Sequence, residues 1–366
     1  MRILIVQDWL RGGGTEHQSI ALARDWQARG HWVRVLTFRP GGALRALLGE
    51  EGDDGAIPVL SLQGRDSGLN WWAPGLSRAV ERCQPDVVLL MGRNANSYGW
   101  LLKRGVLGDL PVFGTVRTGR PLPFFYRKSL LAVDGVIANS RYAAGRVAEL
   151  GVPESRLRVI LNGVRLDASG DEPADRATLR ERFSLPEDRL IVLCLGRLRR
   201  RKGQTFLLDV LASWEGGERP FLWMVGDGED AQFLRTRIEG EGLGDSARIE
   251  GYLGDPWSAI LAADAVALAS EEESLPNALL EAQWLGRPVV AMDCAGVGEC
   301  FEVGRTGFLM AGRNEGDWKK AIQRLMDDPL ERVAMGERAS VWARQRFVFS
   351  DRSDDYLSLF EEGRRR

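Results

Sequence analysis

The sequence predicts an α/β protein made of two Rossmann-like halves, each a parallel sheet with helices on both faces. Two observations carry this. Short apolar runs alternate with helical patterns over residues 2–161 and again over 190–309. Strands alternating with helices pair in parallel through helical crossovers. Between the two series, residues 166–188 are rich in Asp, Glu, Arg and Pro and lack a strand-like run, as an interdomain linker would. The 366 residues suffice for two domains with substantial cores. The expected division is a first domain over 1–165, the linker over 166–188, a second domain over 189–349 and a terminal helix over 350–366.

The first half opens with Arg2–Val6, a strand too soon broken by Gln7-Asp8 for a signal peptide. Gly12-Gly13-Gly14 follows, and Thr15–Arg29 has apolar residues at helical spacing (Ile20, Leu22, Ala23, Trp26) before Gly30 and the strand His31–Thr37. A glycine loop between strand and helix admits a close ligand and leaves N–H groups free. The signal is weak, and the dinucleotide pattern Gly-x-Gly-x-x-Gly with its ribose acid is not kept. Residues 40–70 read as connection. Strands are expected at Pro85–Met91, Val112–Val116, Gly135–Ser140 and Leu157–Leu161, with a helix over Arg141–Leu150 and a short helix, Thr178–Phe183, inside the linker.

The second series starts with the strand Leu190–Leu195, followed by Gly196-Arg197-Leu198 and Arg199-Arg200-Arg201-Lys202-Gly203. The C-terminal end of a strand is where ligands bind in open α/β sheets. Fixed cations there suit a diphosphate, whose charge grows as a bond to it breaks. A merely solvated basic loop is the plain alternative. Strands follow at Phe221–Val225, Arg248–Leu253 and Ala265–Ala269. Then come two glutamates eight residues apart, Glu273 in a loop and Glu281 in a helix, with Pro276 at the first helical position, Gly286 as the stop and Pro288 beyond. The helix N-terminus is a natural seat for phosphate. A surface helix with two solvated glutamates would read the same way. After the strand Val289–Met292 and the segment Gly304–Leu309, three helices end the chain. The last, Ser350–Glu362, has Trp342, Phe347, Phe349, Tyr356 and Phe360 as candidate anchors.

Composition narrows the chemistry. The four cysteines (Cys83, Cys194, Cys294, Cys300) are scattered without Cys-x-x-Cys, and only His17 and His31 are histidines. That argues against a zinc or histidine-based metal centre and suits a reducing, cytoplasmic setting. No apolar run is long enough to span a bilayer. The net charge of −2 hides an asymmetry: residues 1–165 carry 22 Lys/Arg against 14 Asp/Glu, and the rest 27 against 37. A basic first half and an acidic second half point to different partners.

Glu273-Ser274-Leu275-Pro276-Asn277-Ala278-Leu279-Leu280-Glu281-Ala282, the Gly-x-Pro-Val-Val strand and Gly296-Val297-Gly298-Glu299 together resemble the donor-site signature of retaining GT-B glycosyltransferases of family 4. Gly196-Arg197-Leu198 with Lys202-Gly203 is similar to that family's diphosphate motif. Gly13-Gly14-Thr15-Glu16 is similar to its Gly-Gly-x-Glu loop, and Asn139–Tyr142, Asn162-Gly163-Val164 and Gly304–Leu309 to further family segments. The resemblance spans nearly the whole chain. It implies two domains facing across a cleft, with the terminal helix crossing back to the first. It implies Glu273, Arg197 and Lys202 as catalytic residues. It implies a donor site of Gly13, Gly14, Arg197, Lys202, Leu253, Ser274, Leu275, Pro276, Asn277 and Glu281, with Arg197 and Lys202 on the diphosphate, Glu281 on the ribose and Glu273 on the sugar. Glu16, Arg117 and Arg120 fall on the acceptor side. No metal or other cofactor is implied; the nucleotide-sugar, a UDP-sugar rather than a GDP-sugar, is a substrate.

Three departures stand out. Ser274 occupies a frequent Gly or Phe position, Ala295-Gly296 replaces Gly-Gly, and Arg117 stands where many relatives have a histidine after the strand Val112–Val116. Arg117 does not lose its proton and so is no base. The family implies transfer of a sugar to an acceptor hydroxyl, in bacterial cell-surface polysaccharide or lipopolysaccharide assembly. A catalytically degenerate nucleotide-sugar-binding protein and a nucleotide-sugar epimerase are the alternatives. Seven cations between Arg93 and Lys128, interleaved with Pro121–Tyr126 and Leu130-Leu131, suit a peripheral seat on the anionic inner face of the plasma membrane beside a glycan or lipid-linked acceptor. The plain alternative is that Phe124, Phe125 and Leu130 are core. Nothing in the sequence suggests a nucleic-acid partner.

Overall fold

The computed structural model describes residues 1–50, 53–104, 108–165 and 175–365. The chain divides into two compact units: residues 1–165 with 349–366, and residues 166–348. The first unit runs β1 (Arg2–Gln7), α1 (Gly14–Ala28), β2 (Trp32–Thr37), β3 (Val59–Ser61), α2 (Leu76–Cys83), β4 (Val87–Leu90), α3 (Gly99–Arg104), β5 (Val112–Val116), α4 (Phe124–Ala132), β6 (Gly135–Ala138), α5 (Arg141–Glu149) and β7 (Leu157–Val159). Its seven strands lie in the order β3-β2-β1-β4-β5-β6-β7, all parallel. Ile3 of β1 stands beside Val33 on one side and Val87 on the other. Ile3 to Val6 are fully buried, because helices cover both faces of the sheet.

The second unit runs α6 (Arg176–Arg182), β8 (Ile191–Leu195), α7 (Gln204–Ala212), β9 (Phe221–Val225), α8 (Ala231–Gly240), β10 (Ala247–Gly251), α9 (Pro256–Ala262), β11 (Ala265–Leu268), α10 (Asn277–Trp284), β12 (Val289–Met292), β13 (Gly307–Met310), α11 (Glu315–Asp327) and α12 (Pro329–Arg346). Its six parallel strands take the order β10-β9-β8-β11-β12-β13. In both sheets the strand order reverses beside the first strand, between β1 and β4 and between β8 and β11. Connections leave in opposite directions there and open a crevice at the strands' C-terminal ends.

The last helix, α13 (Phe349–Arg364), belongs to the first unit. Phe349, Tyr356 and Phe360 join Ile3, Ile5, Trp26, Phe113 and Ile137 in one core. The rings of Trp26 and Phe360 lie 5.5 Å apart and those of Phe113 and Phe360 5.1 Å apart. Of the other candidate anchors, Trp342 packs against Phe347 at 5.3 Å, before α13 begins.

Three expectations are corrected. Residues 40–70 are more than a connection: they carry β3, an edge strand of three residues, too short to show an alternating pattern. The linker expected over 166–188 is, in its described part, built into the second unit. Asp175 caps α6 through the N–H groups of Ala177 and Thr178, Leu179 is buried, and Arg180 donates to Asp264 at 2.5 Å. Residues 166–174 of that linker, and Arg366, lie outside the described residues. Pro276 is not the first helical residue but the extended residue preceding α10, which starts at Asn277.

Candidate donor and acceptor sites

In the second unit the crevice between β8 and β11 is lined by the two loops the sequence singled out. β8 delivers residues 196–203 and β11 delivers 269–276. Gly203, at φ +78°, sits so close to β11 that a β-carbon would lie 2.1 Å from the Ala269 carbonyl oxygen. Gly226 and Gly228, after β9, press in the same way on the carbonyls of Gly196 and Leu198, at 2.0 and 2.1 Å. The Glu271 N–H donates to the Arg201 carbonyl at 2.9 Å, and Leu198 N–H to that of Asp227 at 2.9 Å. Only glycine tolerates these approaches.

This packing brings charge to charge. Lys202 and Glu273 form an ion pair in which the carboxylate side chain is 13% exposed. Arg201 grips Glu272 with both oxygens at 2.9 Å, and Arg313, after β13, pairs with Glu271 at 2.7 Å. Arg197 and Arg199 share Glu229, at 3.6 and 2.9 Å. The structure thus joins Lys202 directly to Glu273, whereas Arg197 is half-exposed and its recorded ion pair is with Glu229. Ser274, Leu275 and Pro276 are buried, and Asn277 opens α10. Glu281 lies one turn after Asn277, on the same helix face. It is half-buried, its carboxylate has no recorded hydrogen-bond or ion-pair partner among the described residues, and desolvation pushes that carboxyl up to about 8. Leu253 follows β10 beside the exposed Tyr252. Burial likewise pushes Cys194 up to about 12 and Cys294 to about 11, so neither is a poised nucleophile.

Sequence reasoning missed Glu229, Glu271, Glu272 and Arg313. Each follows a strand, which was the available signal, but nothing in their own spacing marked them. Among the described residues no group of three or more His, Cys, Asp or Glu is arranged to hold a metal ion.

In the first unit the crevice between β1 and β4 is closed by Asp8, another residue the sequence reading passed over. Its buried carboxylate accepts from the N–H groups of Ala95 at 2.7 Å and Asn94 at 3.1 Å. A β-carbon at Gly92 would meet it at 2.2 Å. Gly13 precedes α1 and Gly14 begins it. Glu16 folds back so far that a Gly13 β-carbon would lie 2.4 Å from its Oε2. Burial outweighs the attraction of Arg11, 3.2 Å away, and lifts Glu16 to about 7. Arg117 donates to Tyr356 Oη of α13 at 3.1 Å and to Asn162 Oδ1 at 2.5 Å. It therefore ties α13 to the ends of β5 and β7, whatever else it contacts. Arg120 lies in the exposed loop before α4.

The basic aromatic stretch divides by burial. Tyr126 and Leu130 are core, while Phe124 and Phe125 are 64% and 54% exposed. Trp100 of α3 stacks on Phe125 at 6.2 Å, with the Lys128 ammonium 4.0 Å from its ring centre. Leu101 and Leu131 are exposed as well. Lys103 is spent on Asp134, at 2.8 Å. Among the described residues no helix is long and apolar enough to cross a membrane.

Comparison with known proteins agrees with this arrangement. Residues 12–168 match the family model "Glycosyltransferase Family 4", and residues 175–342 match "Glycosyl transferases group 1". The chain is 27% identical over 358 residues to the lipopolysaccharide core biosynthesis glycosyltransferase LpsD of Rhizobium meliloti, covering 96% of each. It is 32% identical over 195 residues to the alpha-D-kanosaminyltransferase of Streptomyces kanamyceticus, a match over 52% of this chain and 50% of that one. In fold it is similar to Anabaena HepE, solved in complex with UDP-glucose, with a TM-score of 0.84, 24% identity and coverage of 99% and 100%. Between them the two matched models take in every strand of both sheets except β1, and the chain belongs to the GT-B glycosyltransferases of the family 4 type.

Proposed function

We propose that this protein is a retaining, metal-independent transferase that moves a sugar from a UDP-sugar to a hydroxyl of a glycan or lipid-linked acceptor in cell-surface polysaccharide or lipopolysaccharide assembly. The observation that carries the reading is the Lys202–Glu273 pair at the strand-order reversal of the second sheet. Lys202 and Arg197 take up the charge of the departing diphosphate. Glu273, with the backbone of residues 274–277, holds the sugar hydroxyls, and Glu281 takes the ribose diol. The acceptor hydroxyl attacks on the face the diphosphate leaves, and a donor phosphate oxygen accepts its proton. No side chain then has to act as base, in keeping with arginine at position 117. The names of LpsD and of the HepE complex support the acceptor class and the donor. The exposed Trp100, Phe124 and Phe125 beside Lys128 support a peripheral seat on an anionic membrane.

The test is incubation with a labelled nucleotide-sugar panel and a crude lipopolysaccharide acceptor pool, with the anomer of the product read by NMR. Transfer from a UDP-sugar with retained configuration is expected, unchanged by EDTA. An inverted product, or loss with EDTA that Mg²⁺ or Mn²⁺ restores, overturns the mechanism. An epimerised donor, or binding without turnover, replaces the reading with an epimerase or a degenerate binding protein.

A further inference from the structure

The segment after β3, residues 62–73, is held from several sides yet turns two indoles to solvent. Gln63, 2% exposed, donates to the carbonyls of Leu69 and Trp72 at 2.9 and 2.7 Å and accepts from Ser67 Oγ at 2.7 Å. Arg39, from the loop after β2, grips both oxygens of Asp66 at 2.6 and 2.7 Å and reaches Asn70 Oδ1 at 2.8 Å. Tyr98, after β4, donates its hydroxyl to the Trp71 carbonyl. The Arg39 guanidinium also lies 3.9 Å from the ring centre of Trp9, which follows β1. The C-terminal loops of β1, β2, β3 and β4 are thereby tied into one surface. On it Trp71 is 60% exposed, Trp72 44% and Leu69 41%, and neither tryptophan has a recorded ring partner among the described residues.

Leaving two large apolar rings in water forfeits their burial. Ordering the segment that carries them costs further conformational entropy. The hydrogen bonds these two residues make in the fold come from the backbone, through both carbonyls and the Trp72 N–H. Contiguous exposed apolar surface on a rigid support marks a binding site. We propose that Trp71 and Trp72 form a stacking platform for sugar rings of the acceptor, a subsite for a glycan chain beyond the residue that reacts. This rests on the glycosyltransferase reading above.

Two features select a glycan over a lipid surface. Pyranose rings have apolar C–H faces that lie flat on indole, and hydroxyl edges that suit the side chains of Asn70 and Asp66. The segment is also close to neutral: Arg65 and Asp66 are the charged residues of 62–73, and Asp66 is held down to about 2 by Arg39. An anionic bilayer draws on surplus cations, and those stand around α3 and α4 instead. The platform lies at the same C-terminal end of the sheet as Asp8 and Glu16, which follow β1, and Arg117, which follows β5.

The test uses the full chain labelled with 5-fluorotryptophan, the resonances of Trp71 and Trp72 being assigned with Trp71→Phe and Trp72→Phe. The probe is delipidated lipopolysaccharide core oligosaccharide. Shifts of these two resonances that saturate with oligosaccharide are expected. So is a rise of about 10-fold or more in oligosaccharide KM in Trp71→Ala/Trp72→Ala, with kcat and UDP affinity within about 2-fold of the parent. Both side chains project from the surface, so folding of the variant is checked simply by an unchanged Tm. Resonances unmoved by oligosaccharide at 10 mM, or moved only by anionic vesicles, overturn the platform. Saturating shifts in a protein that transfers no sugar leave the platform standing and overturn the transferase reading.

Discussion

Lys202 and Glu273 neutralise each other before any substrate arrives, so each is positioned by the partner it must share with the donor. Removing the ammonium takes away a charge-assisted contact to the diphosphate and leaves a carboxylate that repels it. Lys202→Ala is expected to lower turnover by roughly 10²–10³-fold with little change in Tm, since the pair is partly solvated. Turnover near normal in the folded variant would mean that the diphosphate binds elsewhere. Glu281 makes the opposite bargain. Its carboxyl, raised from 4.5 to about 8 by desolvation alone, binds more protons in the folded state than in the unfolded one between those values. Stability therefore falls as pH rises through that window. Glu281→Gln escapes this cost. Its Tm advantage over the parent should widen from pH 4.5 to 8 and then level, by roughly 1–3 kcal/mol, while UDP binds more weakly. A pH-independent difference in thermal melts would show that Glu281 titrates normally. Glu16, raised to about 7, adds the same slope over its own narrower window in both proteins and cancels from the comparison.

At the level of elements, the strands of both sheets other than β3 and β13 were legible because buried parallel strands are uninterrupted apolar runs, as in Ile3–Val6 and Phe221–Val225. The loops at their ends were legible only where residue types cluster, as in 196–203. Asp8, Glu229 and Arg313 were not, because each acts through contacts with a loop distant in sequence and carries no local pattern. The expected linker failed for a similar reason: a short polar helix shows its attachment only through a long-range partner, here Asp264. The basic aromatic stretch that forms α4 was ambiguous on paper, since an interfacial patch and core aromatics flanked by solvated cations share a composition. The structure splits it, with Tyr126 and Leu130 inward and Phe124 and Phe125 outward. For this face, co-sedimentation with anionic but not neutral vesicles is expected, weakening at high salt and about 10-fold lower for Arg127→Glu/Lys128→Glu. Equal indifference to both vesicle types, with full activity on a small soluble acceptor, would sink the membrane seat.

Over the whole molecule, the chain leaves its first unit at residue 165 and returns to it at 349. Phe349, Tyr356 and Phe360 then fill a core otherwise made of residues 3–160. Burying three aromatic side chains stabilises by about 5–9 kcal/mol, comparable with the whole stability of a domain, roughly 5–15 kcal/mol. Deleting residues 349–366 should therefore unfold the first unit selectively. Hydrogen exchange would show protection lost across β1–β7 and kept across β8–β13. Retained protection in β1 and β4 would show that α13 is dispensable. The same return path sets an order of events on the ribosome. Domains ordinarily fold as they emerge, the N-terminal one first. Here the first unit is made early but cannot be completed until Phe349, Tyr356 and Phe360 have emerged. Throughout synthesis of residues 166–348 its Trp26 and Phe113 face lacks its cover, which makes the nascent chain a client for chaperones that hold exposed aromatic surface, and makes a ribosome stalled before residue 349 a source of aggregation rather than of half-useful protein.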